Sequence, residues 1–553
     1  MMFALRTVAL AAMALAGAHV STPVWSQVAP DGGRLLQEIK PGLAAPKPVQ
    51  GIEVQPPAQQ TTEPGGVQVV LSGVRFSGHT VFSAEALQAV IADSLGQRLD
   101  LAGLRGVADA ISAYYRSQGY PFARALLPAQ TLTDGVLHIE VVEGRYGQLR
   151  ALAEDPVLAQ RAQPWLDRLT PGAVIDTATL ERVTLLLGDL PGVQVSPLIR
   201  PGQTAGTGDL DVRVQSGPLI SGELGLDNAG NRYTGQHRVT LNLDLNSPLR
   251  LGDRLSLRAL TTDEKMWFGS LDYSAPLGTS GWRLQAGLAR SAYTLGKGFA
   301  SLQATGTADV RSLGLSFPLK RSPGLNLYWG MAYQYKQLSD RQGSTSSRAD
   351  KTSSTVPLTL RFDVRDSLGQ GGLTYGQLSW TLGSLRLDAG SRALDQISAN
   401  SEGQFDKFTL DMARLQALPG AWTLYTRLAA QWATSNLDSS EGFGLGGADA
   451  VRAYPSGEAY GDRGWIGQIE LRRTMGPHVP YLFYDIGRVT RNARPWEPGD
   501  NQRTLAGAGL GWRVQQQAWT LDASVAWRTV GGAATSDTAQ RVPRVWVALS
   551  YRF

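Results

Sequence analysis

The 553-residue chain carries 52 Lys and Arg against 47 Asp and Glu, for a formal net charge of +5, and it has no cysteine. Disulfides, thiol chemistry and thiolate metal sites are thereby excluded, and the modest charge, with no Lys/Arg run, argues against a nucleic-acid partner. Glycine is 63 of 553 residues, about 11% against a usual share of roughly 7%, and the chain is long enough to expect several domains.

The N-terminus sets Arg6 before an apolar run of about a dozen residues and small residues at 16–18. That pattern predicts a secretory signal peptide over 1–26, cleaved after a position between 18 and 26. The run is too short for a membrane-spanning helix, which takes about 20 apolar residues. A short helix is expected within 27–40, with Leu35, Leu36 and Ile39 on one side. The Pro-rich stretch 41–66 reads as a semi-extended linker.

Residues 67–144 read as a compact β-α-α-β-β unit. The expected first strand covers 67–76, and Ser83 and Asp100 are candidate N-caps for two amphipathic helices. Gly119 ends the second helix, and strands follow at 122–129 and 136–142. Residues 145–217 repeat a similar plan, with Asp176 capping a helix that carries Leu180, Val183 and Leu187.

From 218 to 553 the helical spacing gives way to period-2 alternation. Val239, Leu241, Leu243 and Leu245 alternate with polar residues, as do Leu358, Leu360, Phe362 and Val364. The final run sets Val545, Val547, Leu549, Tyr551 and Phe553 against Arg544, Trp546, Ala548, Ser550 and Arg552. An apolar face, a charged opposite face and aromatics near strand ends predict a transmembrane β-barrel. Only helices and closed barrels pair every backbone group within lipid. A soluble all-β domain would alternate too, but the length of the tract, the charges on its second face and the terminal aromatic favour the membrane. At about 10 residues per strand, with similar lengths for connections, roughly sixteen strands fit, and about ten to eighteen are compatible.

Within this tract, 441–487 is distinctive. A Gly-rich loop leads into Val451-Arg452-Ala453-Tyr454, and a strand over 479–489 carries Phe483-Tyr484-Asp485-Ile486-Gly487. Strand parity puts Leu482, Tyr484 and Ile486 on one face and Tyr481, Phe483, Asp485 and Gly487 on the other. Asp485 is thus expected to be a lone carboxylate facing the interior, near a lone guanidinium at Arg452. Gly507, Gly509 and Gly511 share an inward face with Arg513; they either make room for that loop or simply mark a flexible strand.

These residues resemble a known family, the outer-membrane transporters of two-partner secretion (TpsB, the ShlB/FhaC/HecB type). Six motifs occur in order. The stretch 119–128 (GYPFARALLP), with Gly119, Tyr120, Pro121 and Pro128, resembles the family's POTRA signature. Asp227, Asn228, Gly230, Thr234, Gly235 and Arg238 match its start-of-barrel motif. The stretches 246–253 and 273–278 follow. Val451, Arg452, Ala453 and Tyr454 resemble the tetrad of the sixth extracellular loop, and Phe483-x-Asp485-x-Gly487 a motif on a nearby strand. One departure is Ala453 where the family usually has Gly; a methyl group restricts positive φ there, so an altered loop tip is expected.

The resemblance implies a transmembrane β-barrel of about 16 antiparallel strands, preceded by two small α+β POTRA domains (67–144 and 145–217) and an N-terminal plug helix (27–40). It implies an outer-membrane pore, with its POTRA domains in the periplasm, that secretes (activation being left open) a large partner exoprotein of adhesin, haemolysin or contact-dependent toxin type. Its other partners would be outer-membrane lipid and, during biogenesis, the barrel-assembly machinery. It implies an Arg452–Asp485 pair locking the loop to the wall. The alternative within the superfamily is an insertase-like barrel, which usually has more POTRA units. No nucleophile elbow, zinc spacing or phosphate loop is present, so neither catalysis nor a cofactor is expected.

Overall fold

A computed structural model describes residues 29–40, 42–46 and 65–553. The expected signal peptide and most of the linker lie outside the described residues.

Sixteen antiparallel strands close into one barrel. In chain order they are β1 (Ile220–Asp227), β2 (Arg238–Asn246), β3 (Arg254–Thr262), β4 (Trp267–Pro276), β5 (Arg283–Thr294), β6 (Ala304–Arg321), β7 (Leu325–Gln342) and β8 (Ser347–Asp366). They continue as β9 (Gly372–Leu387), β10 (Gly403–Leu418), β11 (Trp422–Ala433), β12 (Arg463–Arg473), β13 (His478–Thr490), β14 (Gln502–Gln516), β15 (Trp519–Val530) and β16 (Arg544–Arg552). Each strand pairs with its sequence neighbour, and β16 closes on β1 through a short ladder from Ala548↔Asp227 to Arg552↔Glu223. Closure removes every free sheet edge from the lipid.

The alternation sorts side chains as the period demands. Leu288, Leu313, Leu378, Ile469, Leu482 and Leu510 point outward and are exposed, while Gln431, Gln468, Glu470 and Asp485 point inward and are buried. Trp267, Tyr333, Trp380, Trp432, Trp465 and Trp527 lie outward near one rim, and Trp422, Trp519, Tyr551 and Phe553 near the other, the two girdles expected at membrane interfaces.

Before the barrel come two three-stranded units of one topology. In the first, Gly73–Ser77 runs parallel to Val136–Val142, which pairs antiparallel with Arg124–Leu126. In the second, Arg145–Leu152 runs parallel to Thr207–Ser216, which pairs antiparallel with Val193–Pro201. The expected single strand over 67–76 is in fact two. Val69–Val70 pairs with Arg98–Leu99, and Leu71 and Ser72 then turn the chain into Gly73–Ser77. The expected strand at 122–129 shrinks to Arg124–Leu126. Helices cover one face of each sheet. Ser83 Oγ accepts from Ala86 N and Asp100 Oδ1 from Gly103 N, and Asp176 Oδ1 does the same for Thr179 N. A further helix, Pro156–Leu166, opens on Asp155 as its cap. Each unit has its own core, around Leu87, Ile111, Leu137 and Ile139 in the first and Leu166, Leu180, Leu187 and Leu210 in the second.

The second unit is fastened to one rim of the barrel. Arg321, buried at the end of β6, grips Asp189 with two hydrogen bonds of 2.6 and 2.7 Å and donates to Asn326 Oδ1. Arg182 donates to Pro318 O, and Ser247 Oγ to Pro191 O. The rim carrying this unit is therefore the one opposite the long loop between β11 and β12.

Candidate functional site

The barrel interior holds two segments from elsewhere in the chain. One is helix α1 (Gly32–Glu38), capped by Asp31, whose Oδ1 accepts from Arg34 N at 2.9 Å. The other is the connection between β11 and β12, residues 434–462, which folds inward instead of standing above the rim. It contains a minimal hairpin of Phe443–Gly444 with Tyr460–Gly461.

The loop tip is held by Arg452. Its Nε and Nη2 donate to the two oxygens of Asp485 on β13, at 2.8 and 2.6 Å, and its backbone N–H donates to Asp485 Oδ2 at 3.1 Å. Its Nη1 reaches Glu470 on β12 at 2.6 Å, and Glu470 in turn binds Arg472. The guanidinium lies 3.6 Å from the ring centroid of Phe483, and the Arg452 carbonyl accepts from Trp546 Nε1 of β16 at 2.7 Å. Each of the three guanidinium nitrogens thus donates to a carboxylate, and Asp485 is fully buried (0% exposed). Such bidentate, ring-backed geometry is what a planar guanidinium provides and an ammonium does not. Asp485 is not a lone carboxylate as expected, because Glu470 shares the cation. Glu470 was legible in principle, since it sits at an inward position of β12, in phase with Gln468.

The neighbouring residues of both motifs shape this contact. Val451 N donates to Leu445 O, and Tyr454, fully buried, donates its hydroxyl to the carbonyl of Val530 at 2.7 Å. A Cβ at Gly487 would sit 2.9 Å from Trp465 O and 3.0 Å from Leu445 Cδ2, so glycine there admits the loop. Ala453 does not occupy the left-handed region, so its methyl group does not restrict the loop tip; the one non-glycine residue of this loop that does is Ala459, at φ 53°. Its methyl faces Gly507, where an added Cβ would fall 2.3 Å from Ala453 Cβ. Gly507 therefore makes room for the loop, whereas Gly509 and Gly511 make room for the rings of Phe483 and Tyr481 on the adjacent strand.

Helix α1 is held differently. Lys351 on β8 lies 3.5 Å from Asp31 and 2.7 Å from Asp438 of the inward loop, so one ammonium serves both segments. Ser439 Oγ donates to Asp31 Oδ2 at 2.6 Å, and Gln37 donates to Ser440 O. Gly32 N donates to Asp340 Oδ1 at 3.0 Å, beside Tyr293. Gly33 lies so close that a Cβ would meet Ser440 N at 2.5 Å. The apolar support is small: Leu35 packs with Tyr233, Tyr293 and Leu295, and Ile39 borders the same cluster. Farther along the loop, Glu441 is bound by Lys336 and, at 2.8 Å, by Lys407. These lysines were not singled out by the sequence, where they are ordinary inward positions.

The start-of-barrel motif lies at the β16–β1 closure. Asp227 binds Arg238 Nε at 2.7 Å. Asn228 donates to Val545 O and accepts from Val547 N, so its side chain continues the closing ladder beyond Asp227. Gly230 and Gly235 permit a tight return, since a Cβ at Gly230 would meet Gly235 O at 2.0 Å, and Thr234 O accepts from Thr262 Oγ1. The loop reaches this motif through Ser456 Oγ, which donates to Ala229 O at 2.7 Å. The 119–128 stretch is not part of this assembly. Gly119 (φ +91°) accepts from Thr177 N and so joins the two small units. Tyr120 packs on Phe82 and Tyr115, Pro121 follows at the turn, and Pro128 O accepts from Gln130. Nearby, burial pushes the Glu143 carboxyl up, but donors from Thr80, Val81 and Tyr115 outweigh it and hold it below the usual glutamate range.

A family model for the haemolysin secretion/activation protein ShlB/FhaC/HecB matches residues 206–514, and one for the ShlB-type POTRA domain matches 69–144. The chain belongs to the ShlB/FhaC/HecB family. It is 26% identical over 457 residues to the heme/hemopexin transporter protein HuxB of Haemophilus influenzae, covering 80% of each chain. It is 26% identical over 479 residues to the outer membrane transporter CdiB of Escherichia coli, covering 83% of this chain and 79% of the relative. The solved CdiB from Escherichia coli superposes with a TM-score of 0.73 at 21% identity, over 94% of this chain and 95% of that one. For this ShlB-type protein the orientation follows: the rim carrying the POTRA units is periplasmic, and the inward loop descends from the extracellular side.

Proposed function

We propose that this protein is an outer-membrane two-partner secretion transporter whose pore, in the state seen here, is closed by α1 and the inward loop. The observation that carries the reading is the occupied polar lumen. A helix preceding a Pro-rich stretch lies inside the barrel beside a remaining cavity of about 690 Å³, held mainly by polar contacts that water can replace. The cargo is a large exoprotein that enters unfolded from the periplasm. The three-stranded POTRA sheets leave outer strands unpaired on one side, and main-chain pairing there captures an extended segment without demanding one sequence. The exoprotein then passes along the polar wall once α1 has withdrawn. Arg452, Asp485 and Glu470 keep the loop tip on the β12–β13 wall throughout, so the opening is made by the helix and not by the loop. No bond is made or broken in this reading, and the protein acts as a conduit, not as an enzyme.

Planar-bilayer conductance of the purified protein, with and without residues 31–66, tests the reading. The full chain should open intermittently, and the deletion should give a larger and steadier conductance. No channel in either form would overturn it.

A further inference from the structure

Strand parity places a second group of charged residues on the lipid-facing wall, unrelated to the lumen. Arg463 begins β12 in phase with Trp465 and Ile469, and Arg488 lies near the end of β13 in phase with Leu482 and Tyr484. Both therefore point outward, at the extracellular end. The β12–β13 register pairs Arg463 with Thr490 and Trp465 with Arg488, so the two arginines are diagonal neighbours on one face.

Neither arginine has a carboxylate within 4.0 Å among the described residues; the neighbouring Asp462 turns its oxygens to the backbone N–H groups of Leu437 and Ala493. Arg463 lies 4.0 Å over the ring of Trp432 and spends Nε on Ala433 O, which leaves both terminal nitrogens uncommitted. Arg488 donates only to Gln502. On β5 and β6 of the same wall, by contrast, Arg290 lies 3.7 Å from Asp309. Below the two arginines runs a groove of about 590 Å³, lined by Trp432, Trp465, Phe408, Leu378 and Leu410. Phe408 is stacked on Trp380, the rings tilted by only 4°.

We propose that this groove binds one phosphorylated, multiply acylated glycolipid of the outer leaflet. Its phosphate would be held between Arg463 and Arg488 and its acyl chains laid along the aromatic floor. Two guanidiniums with no carboxylate in direct contact at a membrane boundary favour an anion, and a planar fork suits phosphate. An apolar groove directly below them, on the side where acyl chains lie, calls for that anion to carry chains. A snorkelling arginine of the interfacial belt would need only one such group and no groove. The inference rests on the barrel standing in the outer membrane with the inward loop on its extracellular side.

The test uses the full-length protein in phosphatidylcholine nanodiscs. Binding of lipid A carrying two phosphates, of its fully dephosphorylated form and of inorganic phosphate is measured by native mass spectrometry and by the shift in unfolding temperature. The wild type should bind the phosphorylated lipid alone. The Arg463→Gln/Arg488→Gln variant should bind it about tenfold or more weakly, the scale expected for removing two basic groups from an anionic lipid contact. Arg311→Gln, at an outward arginine of β6 beside the Arg290–Asp309 pair, should bind as the wild type does. Equal binding of both lipids, saturation by inorganic phosphate, or unchanged affinity in the double variant would each overturn the proposal. The single variant Arg488→Gln, at an exposed side chain whose hydrogen bond goes to Gln502, should weaken binding too; it keeps the test open should the double variant fail to fold. Retention of the heat-sensitive gel shift of a closed barrel separates loss of this site from loss of the membrane assignment.

Discussion

The two segments inside the barrel are held in contrasting ways. At the loop tip, Arg452 is desolvated, bidentate to Asp485, shared with Glu470, backed by Phe483 and tied through its carbonyl to Trp546 on the last strand. At the helix, a single ammonium, Lys351, is divided between Asp31 and Asp438, and the main apolar anchor is Leu35. The first arrangement is expensive to open because every partner would be left as a buried, unpaired group. The second exchanges polar contacts for water at little cost. The proposed secretion cycle, in which the loop stays and the helix leaves, rests on this difference.

The largest expected effect is at the loop. Removing one partner of a buried pair costs about 3–5 kcal/mol, so Arg452→Ala and Asp485→Ala should yield assembled barrels whose secretion of the partner exoprotein falls at least about tenfold. Arg452→Lys should not restore it, because a point charge cannot reproduce the fork. Normal secretion by both alanine variants would remove the lock from the mechanism.

Next comes the packing behind the loop. Gly507→Val should push against Ala453 and cost about 1–3 kcal/mol, as overfilled cores do. That is readable as a lower temperature for loss of the heat-sensitive gel shift. Combining Gly507→Ala with Ala453→Gly should recover most of the wild-type value, since the methyl is merely moved across the contact.

A smaller change is expected at the helix. Lys351→Ala should leave secretion intact while raising the open fraction of single channels severalfold, in line with a net loss of about 0.5–1.5 kcal/mol once water takes over the contacts. If Lys351→Ala channels stay as quiet as the wild type, the helix is held by something other than this shared ammonium, and the contrast between the two segments fails.

The smallest effect lies outside the membrane. The Glu143 carboxyl is held below its ordinary value of 4.5. Its contribution to stability is therefore present in full above that pH and is lost as pH falls through the lower folded value. Urea unfolding of the isolated 65–217 segment should show this acid-side loss, and Glu143→Gln should flatten it.

Much of this was legible in the chain itself. The period-2 alternation determined the barrel and the inward orientation of Asp485, because side-chain direction along a strand is a local property. The caps at Ser83, Asp100 and Asp176 were legible for the same reason: each is satisfied within its first helical turn. Tertiary structure alone decided the rest. Glu470 became Arg452's second partner through the β12–β13 register, and Trp546 reached the same residue from 94 positions away. Ala453 was tolerated because Gly507, on another strand, left a space for its methyl. Lys351 became a shared clamp only when α1 and the loop were brought against β8. Those contacts depend on which strand closes beside which and on how deep a loop descends. Such choices are made by burial and register over hundreds of residues, and no local period encodes them.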